Sequence, residues 1–213
     1  APLHHGYPQA LFAVVQGGTI RELRQRCCTE MRAMDLPGYA IGGCAVGEPN
    51  DTMYDIVDMT AAMLPPNRPR YLMGVGMPQD ILECIARGID MFDCVIPTRH
   101  GRNGSALTGE GKLNMRNACH ATDFDTPIDR ACNCYTCRNF SRAYLRHLIM
   151  AGEILGIRLV TLHNVHFLVD LARRARKHIV EGTFEGWKNE TLAGLGPIER
   201  GRSTRVTEKH KNR

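Results

Sequence analysis

The run Cys132-Asn-Cys-Tyr-Thr-Cys137, with His163 a helix's length further on, constrains this chain more than any other feature. Three thiolates and an imidazole are the ligand set of one tetrahedral zinc ion, so the fold has to bring them to a single point. Cysteines also pack as small apolar side chains, but three this close in sequence rarely share a core position and readily share an ion. For the fourth ligand, His147 and His166 compete with His163. Position favours His163, which follows the apolar run Leu159-Val-Thr-Leu162, where a strand or helix end would aim it back at the thiolates. Such a set leaves no open position for water, which argues against a zinc hydrolase and for one structural ion per chain.

With 213 residues and 43% hydrophobic content, the chain can bury a sizeable core, and one domain is the expectation. No apolar stretch is expected to reach the roughly 20 residues of a spanning helix, and no signal-peptide pattern opens the chain. The reading is a cytoplasmic protein with no membrane partner. Nine cysteines is an odd count. Cys27, Cys28, Cys44, Cys84, Cys94 and Cys119 are scattered on what read as apolar faces, which suits reduced thiols rather than a disulfide framework. The chain opens at Ala1 in a loop-like segment rich in His, Pro and Gly, and is expected to be a piece of something longer.

The net charge of +5 is local rather than general. Residues 1–137 hold 12 Lys and Arg against 15 Asp and Glu, residues 138–178 hold 8 against 2, and the last 16 residues hold 6 against 2. A basic tail over 191–213 reads as disordered. Arg138, Arg142 and Arg146, at spacing four beside the cysteine run, read either as a helix face suited to a phosphate backbone or as a solvated face.

Apolar runs alternate with helical patterns through the first half. Leu11–Val15, Tyr39–Ile41, Arg70–Met73 and Met91–Val95 read as strands. Thr19–Met34, with Ile20, Leu23, Cys27, Met31 and Met34 on its apolar face, Asn50–Met63 and Pro78–Arg87 read as helices. This alternation gives an α/β fold with parallel strands, either a barrel or an open sheet. Unusual residues fall at or just past each strand: Gln16-Gly17-Gly18, Gly42-Gly43, Met73 to Gly76, and Asp93. Strand ends converge on one face only in a (β/α)8 TIM barrel. A barrel takes about 250 residues, so the expectation is its C-terminal portion, with a zinc-binding subdomain inserted and about half of the barrel upstream. Residues 1–117 are assigned to the barrel units and 118–190 to the zinc subdomain and closing helices.

Val15-Gln-Gly-Gly18, Ile41-Gly-Gly-Cys-Ala-Val-Gly-Glu48, Tyr71-Leu-Met-Gly-Val-Gly76, Phe92-Asp-Cys-Val-Ile-Pro-Thr-Arg99 and the cysteine knuckle, in this order, resemble the bacterial tRNA-guanine transglycosylases, or queuine tRNA-ribosyltransferases. The likeness runs from about residue 5 to 190. It implies exchange of the wobble guanine of tRNAs with GUN anticodons for preQ1, on the route to queuosine. The partners it implies are the tRNA anticodon loop, guanine and preQ1, and a homodimer at full length.

Replacing a base on ribose with retention of configuration takes two displacements, so a carboxylate must attack C1′. The resemblance assigns that role to Asp93, whose neighbours Phe92, Val95 and Ile96 are expected to desolvate it partly. A base acted upon must leave its stack and enter a pocket. Gln16 supplies an amide, Gly43 a close backbone N–H, and Met73 a polarizable face. In the family Glu48 adapts the pocket to the aminomethyl group of preQ1. Gly42 is expected to shape the turn, Val46 matches the bacterial pattern, and Cys44 departs from the expected Leu.

Two segments resemble the family's RNA contacts. One is Gly74, Val75, Gly76, Met77, Pro78, Gln79 and Asp80. The other is Thr98, Arg99, His100, Gly101 and Arg102, whose arginines would clamp phosphates or stack on bases. Two further aspartates of the family belong upstream of Ala1, so the fragment alone is expected to be inactive, and aggregation-prone or partner-dependent. The alternative is a noncatalytic, zinc-containing RNA-binding subunit of the same fold, which would have no chemical reason to keep both Asp93 and Gln16.

Overall fold

Each of the first four strands is short and feeds a helix. The computed structural model describes residues 9–44, 47 and 49–197. Strands β1 (Phe12–Val15), β2 (Gly38–Ile41), β3 (Arg70–Leu72) and β4 (Met91–Phe92) form one parallel sheet in the order β1-β2-β3-β4. They alternate with helices α1 (Arg21–Arg32), α2 (Asn50–Met63), α3 (Pro78–Ala86) and α4 (Ile96–Arg102). Pro78 opens α3, where its missing N–H costs nothing. Helix α2 stops at Met63, and Leu64 is extended ahead of Pro65. The strand expected over Met91–Val95 is only two residues long. Asp93 turns its carboxylate to β3, and Val95 is already helical as the N-cap of α4.

One core lies between the sheet and its helices, built from Val15, Tyr39, Ile41, Val57 and Leu72. The buried face of α1 differs from the expected one. Ile20, Leu23 and Met34 are exposed, whereas Arg24 and Cys28 are buried, with Met31 and Cys27 packed partly beneath them. Helix α1 is rotated because Arg24 finds carbonyl partners inside that no aliphatic side chain could use.

Beyond α4 the chain forms an antiparallel hairpin, β5 (Ser105–Thr108) and β6 (Gly111–Asn114). Helices α5 (Tyr135–Asn139), α6 (Arg142–Met150), α7 (Ile154–Val180) and α8 (Phe184–Leu195) follow. Helix α7 is long and apolar enough to cross a membrane by length and composition, contrary to the expectation that no such stretch exists. Here the buried part of its apolar surface serves two cores, while Leu162, Val165 and Val169 are exposed. Leu159 and Val160 pack with Met115, Ile128 and Leu145, and Leu168, Leu171 and Ala175 pack with Leu82 and Trp187. Residues 191–195 are not tail: they complete α8, and Leu195 is buried. Cys119 is exposed rather than on an apolar face, and all nine cysteines are free.

Candidate active site and metal centre

The sheet register sets the expected pocket residues in one row. Val15, Ile41, Leu72 and Phe92 are successive partners across β1 to β4, so the residues that follow them, Gln16, Gly42, Met73 and Asp93, line one edge at the carboxyl ends of the strands. Neighbouring strands lie about 4.8 Å apart, so Gln16 and Asp93 are separated by three such steps. Backbone bonds Gly42 N–H to Val15 O (3.0 Å) and Met73 N–H to Ile41 O (3.3 Å) carry the ladder one residue further. Gln16 and Gly43 are brought together: a Cβ on Gly43 would lie 2.6 Å from Gln16 Oε1. Gly43 has φ +64°, so it is Gly43 that turns the chain. Gly42, expected to shape the turn, instead makes room for Gln16, whose Nε2 would lie 2.6 Å from a Cβ there. Glu48 and Val46 lie outside the described residues.

Asp93 is exposed and Val95 is 54% exposed, so apolar neighbours do not desolvate the carboxylate as the sequence suggested. Hydrogen bonds set its chemistry instead. The Tyr71 hydroxyl donates to Oδ1 at 2.6 Å and the Gly74 N–H donates to the same oxygen at 3.0 Å. These donors, Tyr71 first, hold the carboxyl below the usual carboxylate range. Tyr71 was not singled out from the sequence. The signal was there: it sits two positions before Met73, on the same strand face.

The two expected RNA segments are only partly accessible. Val75, Gly76, Pro78, Gln79 and Asp80 are buried, which leaves Gly74 exposed and Met77 half-buried. Gly76 abuts Cys94, so no side chain fits there. Asp80 accepts from Tyr54 Oη (2.6 Å) and Asn50 Nδ2 (3.0 Å) inside the fold. In the second segment Arg99 and Arg102 are exposed and Thr98 and His100 half-buried, while Gly101 is buried where α4 crosses Thr161 of α7.

Cys132, Cys134, Cys137 and His163 converge, with ligand atoms all within 4.8 Å of one another. His163 Nδ1 lies 3.6, 3.6 and 3.3 Å from the sulfurs of Cys132, Cys134 and Cys137. Bond lengths of about 2.3 Å to sulfur and 2.0–2.1 Å to nitrogen in a tetrahedron give edges of about 3.6 Å. The donor set therefore fits one four-coordinate ion. His163 lies within α7, not at the end of an element as expected, and is fully buried. Its Nε2 donates to Leu107 O at 2.7 Å, which fixes Nδ1 as the ligand atom. Cys134 caps α5 by accepting from Cys137 N at 3.4 Å, and hydrogen bonding from Cys137 draws the Cys134 thiol well below its ordinary range. Thr136 Oγ1 ties the knuckle to Leu159 O at 2.7 Å. His166 bonds Asn133 instead of joining the cluster, and His147 is exposed.

The neighbouring Asn164 was not anticipated, and nothing in its spacing announces it. Its Oδ1 accepts from Leu107 N (2.9 Å), and its Nδ2 donates to Pro97 O (3.1 Å) and Ser105 O (3.0 Å). Consecutive α7 residues thus hold both backbone groups of Leu107 and the first turn of α4. The arginine stripe does not form. Phe140 and Ser141 interrupt the helix between Arg138 and Arg142. Arg142 donates to Pro127 O and Ile128 O, and Arg146 to Arg116 O and Asn117 O, so two of the three guanidiniums brace loops.

Parallel βα units with an amide, glycines and a hydrogen-bonded carboxylate along one strand edge define an α/β protein with a candidate site at the carboxyl ends of its strands and, beside it, a Cys3His cluster that fits one metal ion. Comparison with protein families narrows that class. The model described as queuine tRNA-ribosyltransferase matches residues 3–196, and the chain belongs to this family. It is 56% identical over 182 residues to the queuine tRNA-ribosyltransferase of Moorella thermoacetica, covering 85% of this chain and 48% of that protein. It is 57% identical over 188 residues to that of Thermoanaerobacter pseudethanolicus, covering 88% and 50%. To that of Acetivibrio thermocellus it is 52% identical over 188 residues, again covering 88% and 50%. The chain spans about half the length of the curated relatives it matches.

Proposed function

We propose that this chain carries the nucleophile, part of the base pocket and the structural metal of a tRNA-guanine transglycosylase that replaces the wobble guanine of GUN-anticodon tRNAs with preQ1. The carrying observation is the register row that places Gln16, Gly42, Met73 and Asp93 on one strand edge in a member of this family. Asp93 attacks C1′ as the bond from C1′ to the purine nitrogen breaks, and the purine leaves with its bonding pair. An aspartyl-ribosyl ester holds the sugar until the incoming base displaces it. Both donors fall on Oδ1, which leaves Oδ2 to attack. Gln16 and the Gly43 N–H address the base edge, Met73 covers its face, and Glu48 adjusts the pocket. Arg99 and Arg102, exposed on α4, meet the anticodon backbone.

The consecutive strand order supports the C-terminal portion of a (β/α)8 barrel, with the metal subdomain set between α4 and α7. The ion is zinc, held by Cys132, Cys134, Cys137 and His163. It supplies cross-linking of knuckle to helix and no reaction step. The stacked pair Phe140 and Tyr144 (5.5 Å), with Tyr135 edge-on to Phe140, forms a partly exposed aromatic patch suited to a second copy of the protein. Nine free cysteines suit a reducing cytoplasm.

The test is Asp93→Asn in the protein expressed from its complete reading frame. The expected result is loss of labelled-guanine exchange, together with a tRNA adduct on Asp93 when the unsubstituted protein is trapped and mapped by mass spectrometry. Exchange that persists in Asp93→Asn, or an adduct on another side chain, overturns the reading. It would leave the noncatalytic RNA-binding subunit, for which Asp93 and its two donors offer no support.

A further inference from the structure

Arg24 is fully buried, and a guanidinium does not lose its charge at any ordinary pH. Taking that charge out of water is costly unless its donors are used. Here Nε and Nη2 reach two separate turns. Nε donates to Gly18 O at 2.6 Å in the turn after β1, and Nη2 donates to Gly42 O at 2.9 Å and Gly43 O at 3.3 Å in the turn after β2. The side chain is itself held: Arg24 N bonds Ile20 O, Ile20 N bonds Gly17 O, and a Cβ on Gly17 would lie 2.7 Å from Arg24 N.

A trans peptide is planar, with its C=O and the following N–H pointing opposite ways. Drawing Gly42 O inward to Arg24 therefore turns the Gly43 N–H the opposite way, and Gln16 Oε1 packs against the same turn, 2.6 Å from the position of a Gly43 Cβ. We infer that Arg24 is a positioning residue for base recognition: by gripping both turns from beneath, it aims the Gly43 N–H and sets its distance from the Gln16 carboxamide. The inference rests on the base-exchange reading above. It adds that selectivity for a purine bearing an oxygen at C6 depends on a side chain that never touches the base.

The experiment uses the protein expressed from its complete reading frame and measures dissociation constants for guanine and for 2-aminopurine, which lacks the C6 oxygen. Arg24→Lys keeps the charge but cannot fork to two turns, and Arg24→Gln keeps a polar group without charge. Loss of one aimed hydrogen bond is expected to weaken guanine roughly tenfold in both variants while 2-aminopurine changes less than about threefold. Equal weakening of both bases, or none, marks a merely structural arginine and overturns the proposal. A readout without substitution guards against misfolding: the Arg24 Nε–H is expected to be exchange-protected in NMR spectra and to shift when guanine binds. An unprotected or unmoved signal also overturns the proposal. Failure of the unsubstituted protein to bind guanine at all removes the base-exchange reading and the positioning role with it, an outcome distinct from a loss confined to the variants.

Discussion

Tyr71 of β3 and Asp93, just past the end of β4, share a 2.6 Å hydrogen bond that orients the carboxylate and is the first cause of its lowered pKa. Tyr71→Phe removes the donor without changing the ring. The Asp93 pKa then rises toward the ordinary carboxylate value, so, on the proposed exchange reading, the acid limb of the profile of the protein expressed from its complete reading frame is expected to move to higher pH. A hydrogen bond to a charged group contributes about 1.5 kcal/mol or more, less when exposed, so kcat is expected to fall by roughly tenfold or somewhat less. Steady-state rates across the acid range check both. An unmoved acid limb would show that Tyr71 does not tune Asp93.

The four residues proposed to hold the metal join knuckle to α7, and of the three sulfurs that of Cys137 lies nearest His163 Nδ1, at 3.3 Å. Cys137→Ala is expected to reduce bound metal from one ion per chain to nearly none. Losing about 3 to 5 kcal/mol of cross-link in a protein of this size lowers Tm by roughly 10 °C. Metal analysis and thermal melts with and without chelator measure this. Full metal content in the variant would remove Cys137 from the ligand set.

Much of this was legible in the sequence because short-range chemistry dictated it. The Cys-x-Cys-x-x-Cys spacing, Pro78 at the head of α3 and the Pro65-Pro66 stop after α2 each act within one turn of chain. Strand periodicity placed four βα units to within a few residues. What was not legible depended on partners distant in sequence. The α1 pattern put Leu23 on the buried face, but Arg24 is the residue buried there, and the carbonyls of Gly18, Gly42 and Gly43 explain it. The arginine stripe failed because Ser141 restarts the helix as the N-cap of α6, its Oγ accepting from Tyr144 N. Asp93 lay among apolar neighbours in sequence, but β4 ends before it and its donors come from β3 and the turn beyond.

Asn164 should behave differently from its neighbour His163. Asn164→Ala leaves Leu107 N, Pro97 O and Ser105 O without their side-chain partner in a buried site. Stranded buried groups cost about 1 to 3 kcal/mol each before relaxation and water entry, so a loss of roughly 3 kcal/mol is expected, with metal content retained. Denaturant melts beside metal analysis decide. Joint loss of metal and stability would mean that Asn164 acts through the ion.

Asp80 links stability to pH with the opposite sign from Asp93. Burial is the chief cause raising its carboxyl above the usual value, against the opposing Tyr54 hydrogen bond. An unfolded Asp titrates near about 3.9, so just above that pH the unfolded chain has released a proton that the folded protein still holds. Stability attributable to Asp80 therefore falls as pH rises from the ordinary carboxylate value through the raised folded one, and the cost is fully present above it. Asp80→Asn keeps an oxygen to accept from Tyr54 and Asn50 but carries no charge to desolvate. The variant is expected to be more stable than the parent at pH 7, with the gap closing as pH falls toward 4. A gap independent of pH would mean that the hydrogen bonds, not the charge, set the energetics of Asp80. If the stabilised variant also loses tRNA exchange, the ionised carboxylate at the head of α3 is retained for function at a standing cost to the fold.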